Sequence, residues 1–262
     1  MHIPGSQKCN NAKTAVVFIH GLMGSPVQFT DLAAAVYSNG CSCISVLLPG
    51  HGGSMKDFAR SGAGDWERHV QSELDKIRHD YQKIVLVGHS MGGLLALNAS
   101  LNKENKIAGA VLISTPLKIH VFNLKSLLRK MRLLMLSPSN EVKATYVKSN
   151  SIAKASFFFY PLMIKPLISL YILIQKTKKR LAEISVPVTM FYSRNDETTS
   201  YRSFNIMYRG LCNTQRTLFT LTKSHHAFYC DEERRIIQDR LIEFIQKIET
   251  CGIKEKEDHQ HE

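Results

Sequence analysis

The chain has no CxxC pair and no cluster of His, Cys, Asp or Glu with the spacing of a metal site, although its 262 residues include six cysteines and 11 histidines. Neither a metal nor a disulfide framework is expected. Cys9, Cys41, Cys43, Cys212, Cys230 and Cys251 read as scattered thiols in a reducing compartment. Cys41 and Cys43 lie inside an apolar stretch and read as buried small hydrophobes. The start, MHIPGSQKCNNAK, has no basic head followed by an apolar run, so no secretory leader is expected and the cytoplasm is the expected location. Glycine (15) and proline (8) are at ordinary levels and there is no internal repeat, which excludes collagen-like and low-complexity classes. What is present is enough apolar material, 44% of residues against 21% charged, to bury a substantial core.

The formal charge of +12 has the size of a nucleic-acid signal, so its location decides its meaning. Of 34 lysines and arginines, 13 fall in residues 118–180, together with one of the 22 acids, Glu141; the rest of the chain holds 21 of each and is neutral. The excess belongs to a single segment that is also apolar and carries no nucleic-acid motif, so no nucleic-acid partner is expected.

Outside that segment the pattern alternates. Strands are predicted at Thr14–Ile19, Cys43–Leu47, Lys83–Gly88, Ala108–Ser114, Val186–Tyr192 and Gln215–Leu221. Helices are predicted at Val27–Ser38, Asp65–Asp80, Met91–Leu101, Tyr201–Leu211 and Asp231–Glu249, with Asp65 as an N-cap and Asp231, Glu232 and Glu233 in the first turn of the last helix. Runs such as AVVFIH and KIVLVGH are apolar on both alternating faces, as in a parallel sheet covered on both sides. Alternating strand and helix then gives an α/β sandwich of about six parallel strands. The domain reading is a core of residues 1–117 and 181–250, an inserted helical lid at 118–180, and a charged tail at 251–262 expected to fray from Lys254. Within the insert, Phe157–Ile174 has the length of a membrane span, but Pro161, Lys165 and Pro166 interrupt it and the chain must return to the same sheet at Val186.

Gly88-His89-Ser90-Met91-Gly92 is a GxSxG sequence with a strand before it and a helical pattern after it. In that setting Ser90 sits in a strained turn above the sheet. The backbone passes itself so closely that the positions two before and two after the serine carry no side chain, and the helix N-terminus behind Ser90 favours an anion. A serine nucleophile needs a base and the base an orienting acid, in the chain order Ser, acid, His for this arrangement. The loop after the fifth strand offers Asp196, with Glu197 as the alternative acid. The loop after the sixth offers His225 and His226, between which the residues alone do not choose. His20, His89 and His51 read as loop organisers and Trp66 as a core anchor.

With these residues in place, the chain resembles α/β-hydrolase esterases of the bacterial carboxylesterase and monoacylglycerol lipase type. The likeness runs through His20-Gly21-Leu22-Met23-Gly24, Leu48-Pro49-Gly50-His51-Gly52, Asp65-Trp66, Gly88–Gly92, Asp196 and the C-terminal histidine. It leaves only the insert poorly matched. The resemblance implies an α/β-hydrolase fold with a helical lid, no cofactor, and the base at His226, five residues before Asp231. His225 stands where that family usually has glycine. It also implies an oxyanion hole from the backbone N–H groups of Leu22 and Met91. The expected activity is carboxylic ester hydrolysis on an acyl-bearing small molecule. A thioesterase, a cinnamoyl-type esterase and a non-catalytic ligand-binding relative are the alternatives. The apolar lid with its basic residues suggests peripheral contact with an anionic membrane.

Overall fold

The computed structural model describes residues 6–119 and 163–257, with side chains as far as residue 250. Six strands, β1 (Thr14–Ile19), β2 (Ser42–Val46), β3 (Lys83–His89), β4 (Ile107–Ile113), β5 (Val188–Ser193) and β6 (Arg216–Leu221), form one sheet in the order β2-β1-β3-β4-β5-β6. Every pairing is parallel. Each predicted strand is present within two residues of its expected ends.

The apolar runs bury both faces, as their composition demands. Ala15, Val17 and Ile19 of β1, with Ile84 and Leu86 of β3, enter one core; Val16, Phe18, Val85 and Val87 enter the other. The first core is covered by α3 (Ala63–Ile77) and α4 (Met91–Ala99), the second by α1 (Thr30–Ser38) and the last helix, α7 (Asp231–Glu257). Trp66 of α3 is fully buried, and its indole N–H donates to the Pro49 carbonyl (3.2 Å) and to Ser61 Oγ (3.3 Å).

Local details depart from the expectations. Asp65 is not the N-cap of α3: Gly62 takes that place, and Asp65, three residues on, accepts the Gly62 N–H (3.0 Å). A carboxylate at that position reaches back to the cap and serves the same unpaired donors. A short helix, α2 (Met55–Arg60), was not foreseen; Ser54 and Asp57 close a capping box around it. The expected Val27–Ser38 helix opens as a 3₁₀ turn at Pro26–Phe29 before α1. The last helix runs on to Glu257 rather than ending at Glu249.

Residues 120–162 of the expected insert lie outside the described residues, and with them most of the lid reading. Its end forms α5 (Ile164–Arg180), in which Leu170, Leu173 and Ile174 join the same core as Trp66. This helix is therefore packed onto the sandwich. After it come β5, α6 (Arg202–Gly210) and β6. No helix among the described residues is long and apolar enough to cross a membrane. Among them, Cys9, Cys41, Cys43, Cys212 and Cys230 are unpaired, and burial pushes the Cys41 and Cys43 thiols up to about 12.

At the C-terminal edge of the sheet two neutral imidazoles fasten the loops after β1 and β2. His20 Nε2 accepts the Leu48 N–H (3.1 Å), and its Nδ1–H donates to the Gly21 carbonyl (2.9 Å). His51 Nε2 accepts the Met23 N–H (3.1 Å), and its Nδ1–H donates to the Pro49 carbonyl (3.2 Å). Each ring needs one bare nitrogen, so neither can be protonated without losing a bond. Burial, reinforced by the neighbouring His51, lowers His20 to about 3, and burial lowers His51 to about 4.

A Cβ at Gly93 would stand 1.8 Å from Thr115 Oγ1, so Gly93→Ala should cost about 1–3 kcal/mol of stability, read from urea unfolding. The unfolded chain protonates both loop histidines near pH 6.5 while the folded chain resists, so stability is lost as pH falls from 6.5 towards 4 and 3. Each ring contributes a slope of up to about 1.4 kcal/mol per pH unit. The urea midpoint should drop between pH 7 and 5, and less steeply in His51→Gln.

Candidate active site

β3 ends directly beneath Ser90, whose backbone has φ 53° and ψ −121°. A side-chain-bearing residue pays for positive φ, and here the surroundings impose it. The Ser90 N–H is tied to the Ile113 carbonyl of β4 (2.8 Å). On either side the chain passes too closely for any Cβ: one at Gly88 would lie 2.5 Å from the Gly92 backbone, and one at Gly92 would lie 1.9 Å from the Ile19 carbonyl oxygen. Both glycines behave as the spacing requires. The turn lifts the Ser90 hydroxyl to the sheet's edge, and α4 begins at the next residue, Met91. The Met91 N–H is one of the first-turn donors that a helix cannot pair internally. Gly21 packs against the serine from the other side, a Cβ there falling 2.9 Å from Ser90 Cβ, which brings the Leu22 loop alongside.

Three residues distant in sequence meet at this point. Ser90 Oγ stands 3.0 Å from His226 Nε2, and His226 Nδ1 stands 2.9 Å from Asp196 Oδ2 and 3.0 Å from Oδ1. A carboxylate only accepts, so Nδ1 carries the proton and Nε2 presents its lone pair to the serine hydroxyl. Asp196 is fixed in turn by the N–H groups of Thr198 (2.8 Å) and Thr199 (2.6 Å), both on Oδ1. It is 3% exposed and His226 is the imidazole it faces, so of the two candidate histidines the one at 226 meets the serine.

The other sequence candidates have different places. Glu197 is not solvated; it is 3% exposed, and its Oε2 accepts the His226 backbone N–H (3.2 Å) and faces His225 Nδ1 (3.7 Å). Burial would raise its carboxyl, but the His225 contact and local N–H groups outweigh this and hold it at about 2. The Glu197 contact raises His225 against the effect of its partial burial. His89, inside the elbow, donates Nε2–H to the His226 carbonyl (2.8 Å), and burial lowers it to about 4. His20 and His51 are loop fasteners, and His89 is a third.

Two residues escaped sequence reasoning. The Tyr229 hydroxyl donates to the same His226 carbonyl (2.9 Å). Glu233, expected only as a first-turn acid, turns its carboxylate to the N–H groups of Thr222 (2.5 Å), Lys223 (3.0 Å) and Ser224 (2.7 Å), just before the histidine pair. Its place three residues into a helix that follows a tight loop was the available signal. No group of three potential metal ligands occurs among the described residues.

Comparison with known proteins identifies the family and the fold. The family of serine aminopeptidases S33, in the Hydrolase_4 group, matches residues 10–233. The chain is similar to a thermostable monoacylglycerol lipase of Bacillus sp. (strain H-257), 26% identical over 238 residues that cover 90% of this chain and 92% of that one. It is also similar to a carboxylesterase of Bacillus subtilis (strain 168), 24% identical over 237 residues that cover 90% and 93%. Among solved structures, one from the metagenome-derived lipolytic enzymes LipS and LipT superposes with a TM-score of 0.73 at 20% identity, covering 94% of this chain and all 100% of that one. With the strand order, the elbow at Ser90 and this coverage in hand, the chain has the α/β-hydrolase fold and belongs to the serine aminopeptidase S33 family.

Proposed function

We propose that Ser90, His226 and Asp196 are the nucleophile, the base and the orienting acid of this chain, with the backbone N–H groups of Leu22 and Met91 as its oxyanion hole. The reaction is carboxylic ester hydrolysis of the monoacylglycerol lipase or carboxylesterase type, the chemistry named for the two Bacillus relatives. The observation that carries the assignment is the 3.0 Å approach of Ser90 Oγ to an imidazole whose far nitrogen is held by a buried carboxylate.

In the acylation half, His226 Nε2 takes the Ser90 hydroxyl proton as Oγ bonds to the ester carbonyl carbon. The carbonyl oxygen becomes an oxyanion between the Leu22 and Met91 N–H groups, at the positive end of α4. Asp196 stabilises the imidazolium without taking its proton. The C–O bond to the alcohol then breaks, and the alcohol leaves with the proton from Nε2. In the second half a water molecule gives a proton to Nε2 and its oxygen to the acyl carbon; the acid departs and Ser90 regains its proton. No metal or cofactor enters any step.

The substrate is an acyl ester presented at a membrane surface, and α5 supports this. Ile164 (58% exposed), Ile168 (55%), Tyr171 (60%) and Ile172 (54%) form an exposed stripe along one side of the helix, and Lys178, Lys179 and Arg180 close its last turn. Apolar side chains beside clustered cations suit the headgroup region of an anionic bilayer, where each lysine or arginine contributes about 1 kcal/mol. The proposed setting is the cytoplasmic side of such a surface.

Ser90→Ala should lower kcat on p-nitrophenyl butyrate by about 10⁶-fold and abolish labelling by a fluorophosphonate, with the fold retained by circular dichroism. Parent-like turnover by that variant would remove Ser90 from the mechanism. In sedimentation at low salt, liposomes rich in phosphatidylglycerol should carry down more protein than phosphatidylcholine liposomes. Ile168→Glu/Ile172→Glu should erase the difference while leaving hydrolysis of the soluble ester intact. Equal sedimentation with both lipids would remove the membrane setting and leave the esterase reading untouched.

A further inference from the structure

We infer that Ser114, the residue at which β4 gives way to loop, is a positioning residue that ties the acid loop and the base loop of the site to one point of the sheet. The inference rests on the reading of Ser90, His226 and Asp196 as nucleophile, base and acid, and it names the residue that holds two of them in register with the third.

The end of β4 reaches all three. The Ile113 carbonyl accepts the Ser90 N–H (2.8 Å). The Ser114 carbonyl accepts the Thr199 hydroxyl (3.0 Å), and the Thr199 N–H donates to Asp196 Oδ1 (2.6 Å). The Ser114 hydroxyl lies 3.2 Å from the Tyr229 hydroxyl, which donates to the His226 carbonyl (2.9 Å). Two consecutive residues thus hold the nucleophile directly, and the acid and the base through one intervening residue each.

Proton counting gives the base arm a direction. A phenol has one proton, and Tyr229 gives it to the His226 carbonyl. The Ser114 hydroxyl therefore donates to the Tyr229 oxygen. Removal from water raises the Tyr229 phenol above its ordinary range, so it stays a donor at neutral pH. Ser114, Tyr229 and the His226 carbonyl form a chain of successive bonds in which each polarises the next. In the acid arm, Thr199 gives its hydroxyl proton to Ser114 and its amide proton to Asp196.

The backbone of Ser114 makes this fan of contacts possible. Its φ is 51°, in the left-handed region that a serine occupies at a cost. Its N–H still bonds as a strand residue would, to the Phe191 carbonyl of β5 (3.0 Å). Its carbonyl is turned to the loop after β5, and its hydroxyl to the loop after β6. Ser114 is 1% exposed and Thr199 0%, so both arms start away from bulk water, where a lost partner is felt most.

Other groups hold the same loops. His89 also donates to the His226 carbonyl (2.8 Å), and the Ser200 N–H bonds the Lys118 carbonyl (2.9 Å). Removing one hydroxyl should therefore leave the loops folded and displace the reacting groups slightly, which proton transfer feels more than substrate binding does.

The test measures kcat and KM on p-nitrophenyl butyrate, with active serines counted by fluorophosphonate so that kcat refers to competent enzyme. Ser114→Ala, Tyr229→Phe and Thr199→Val should each lower kcat per active serine by about 3- to 10-fold and leave KM within about 2-fold. Thr199→Ser keeps the hydroxyl and should stay within about 2-fold of the parent. Because the Ser114 hydroxyl acts through Tyr229, adding Ser114→Ala to Tyr229→Phe should lower kcat by no more than about 2-fold further. Thr199→Val lies on the other arm, and its effect should multiply with that of Tyr229→Phe. Full multiplication of Ser114→Ala with Tyr229→Phe would overturn the inference. So would parent-like kcat in Ser114→Ala, or a loss confined to KM or to the number of active serines, which is what a merely structural role would give. If Ser114→Ala does not fold, the other variants decide: parent-like kcat in Thr199→Val or in Tyr229→Phe, or no rescue by Thr199→Ser, overturns it. An unlabelled parent, or turnover that survives Ser90→Ala, would instead count against Ser90 as nucleophile, so the two failures are distinguishable.

Discussion

Everything at this site depends on the close crossing of backbone at the end of β3. The chain leaves the central strand, reverses at Ser90 and enters α4 with the Gly88 and Gly92 backbones so near that no side chain fits between them, while Gly92 presses on the carbonyl of Ile19 in β1. The turn costs free energy, because Ser90 is held at positive φ. That cost is offset by the two cores on either side, which bury the strand runs on both faces. The hydroxyl is therefore presented at the buried end of a central strand, whereas His226 and Asp196 arrive on loops. A strand-borne nucleophile with loop-borne partners accounts for the hydrogen bonding that goes to the loops: Glu233 to the backbone before the histidines, Thr198 and Thr199 to Asp196, and Glu197, His89 and Tyr229 to His226.

A second constraint runs through the imidazoles. His20, His51 and His89 are buried, and all three are held well below the ordinary histidine range. The first two present a bare nitrogen to a backbone N–H, and His89 gives its one proton to a carbonyl. His20 and His51 act as rigid linkers that use one donor and one acceptor each, a task for which glutamine would be floppier and a charged group would cost its full desolvation. His225 and His226 differ because each faces a buried carboxylate. The same side chain thus serves two purposes in one small region, and its neighbours decide which.

The inner strands β1, β3 and β4 were legible in the sequence because burial on both faces leaves a short, nearly continuous apolar run. The elbow was legible because its glycines answer a steric demand made by adjacent residues. What the sequence concealed were interactions set by tertiary geometry. Asp65 and Glu233 both carry the mark of a first-turn acid, yet one bonds its own helix cap and the other a loop nine to eleven residues upstream. The six-residue α2 is too short for a periodic pattern to register, and only the Ser54–Asp57 box betrays it. The apolar stretch ending near Ile174 read as lid, but its helical part places Leu170 and Leu173 in the core and leaves Ile168 and Ile172 outside, a division that hydrophobicity alone cannot express.

The pair of histidines after β6 shows where chemistry takes over from pattern. Composition and spacing treat His225 and His226 alike, and the acids Asp196 and Glu197 are equally adjacent. Folding separates them through the direction of successive side chains. The two acids and the two histidines thus meet in parallel rather than compete for one partner. Asp196 meets the ring that reaches Ser90, and Glu197 meets the ring that does not.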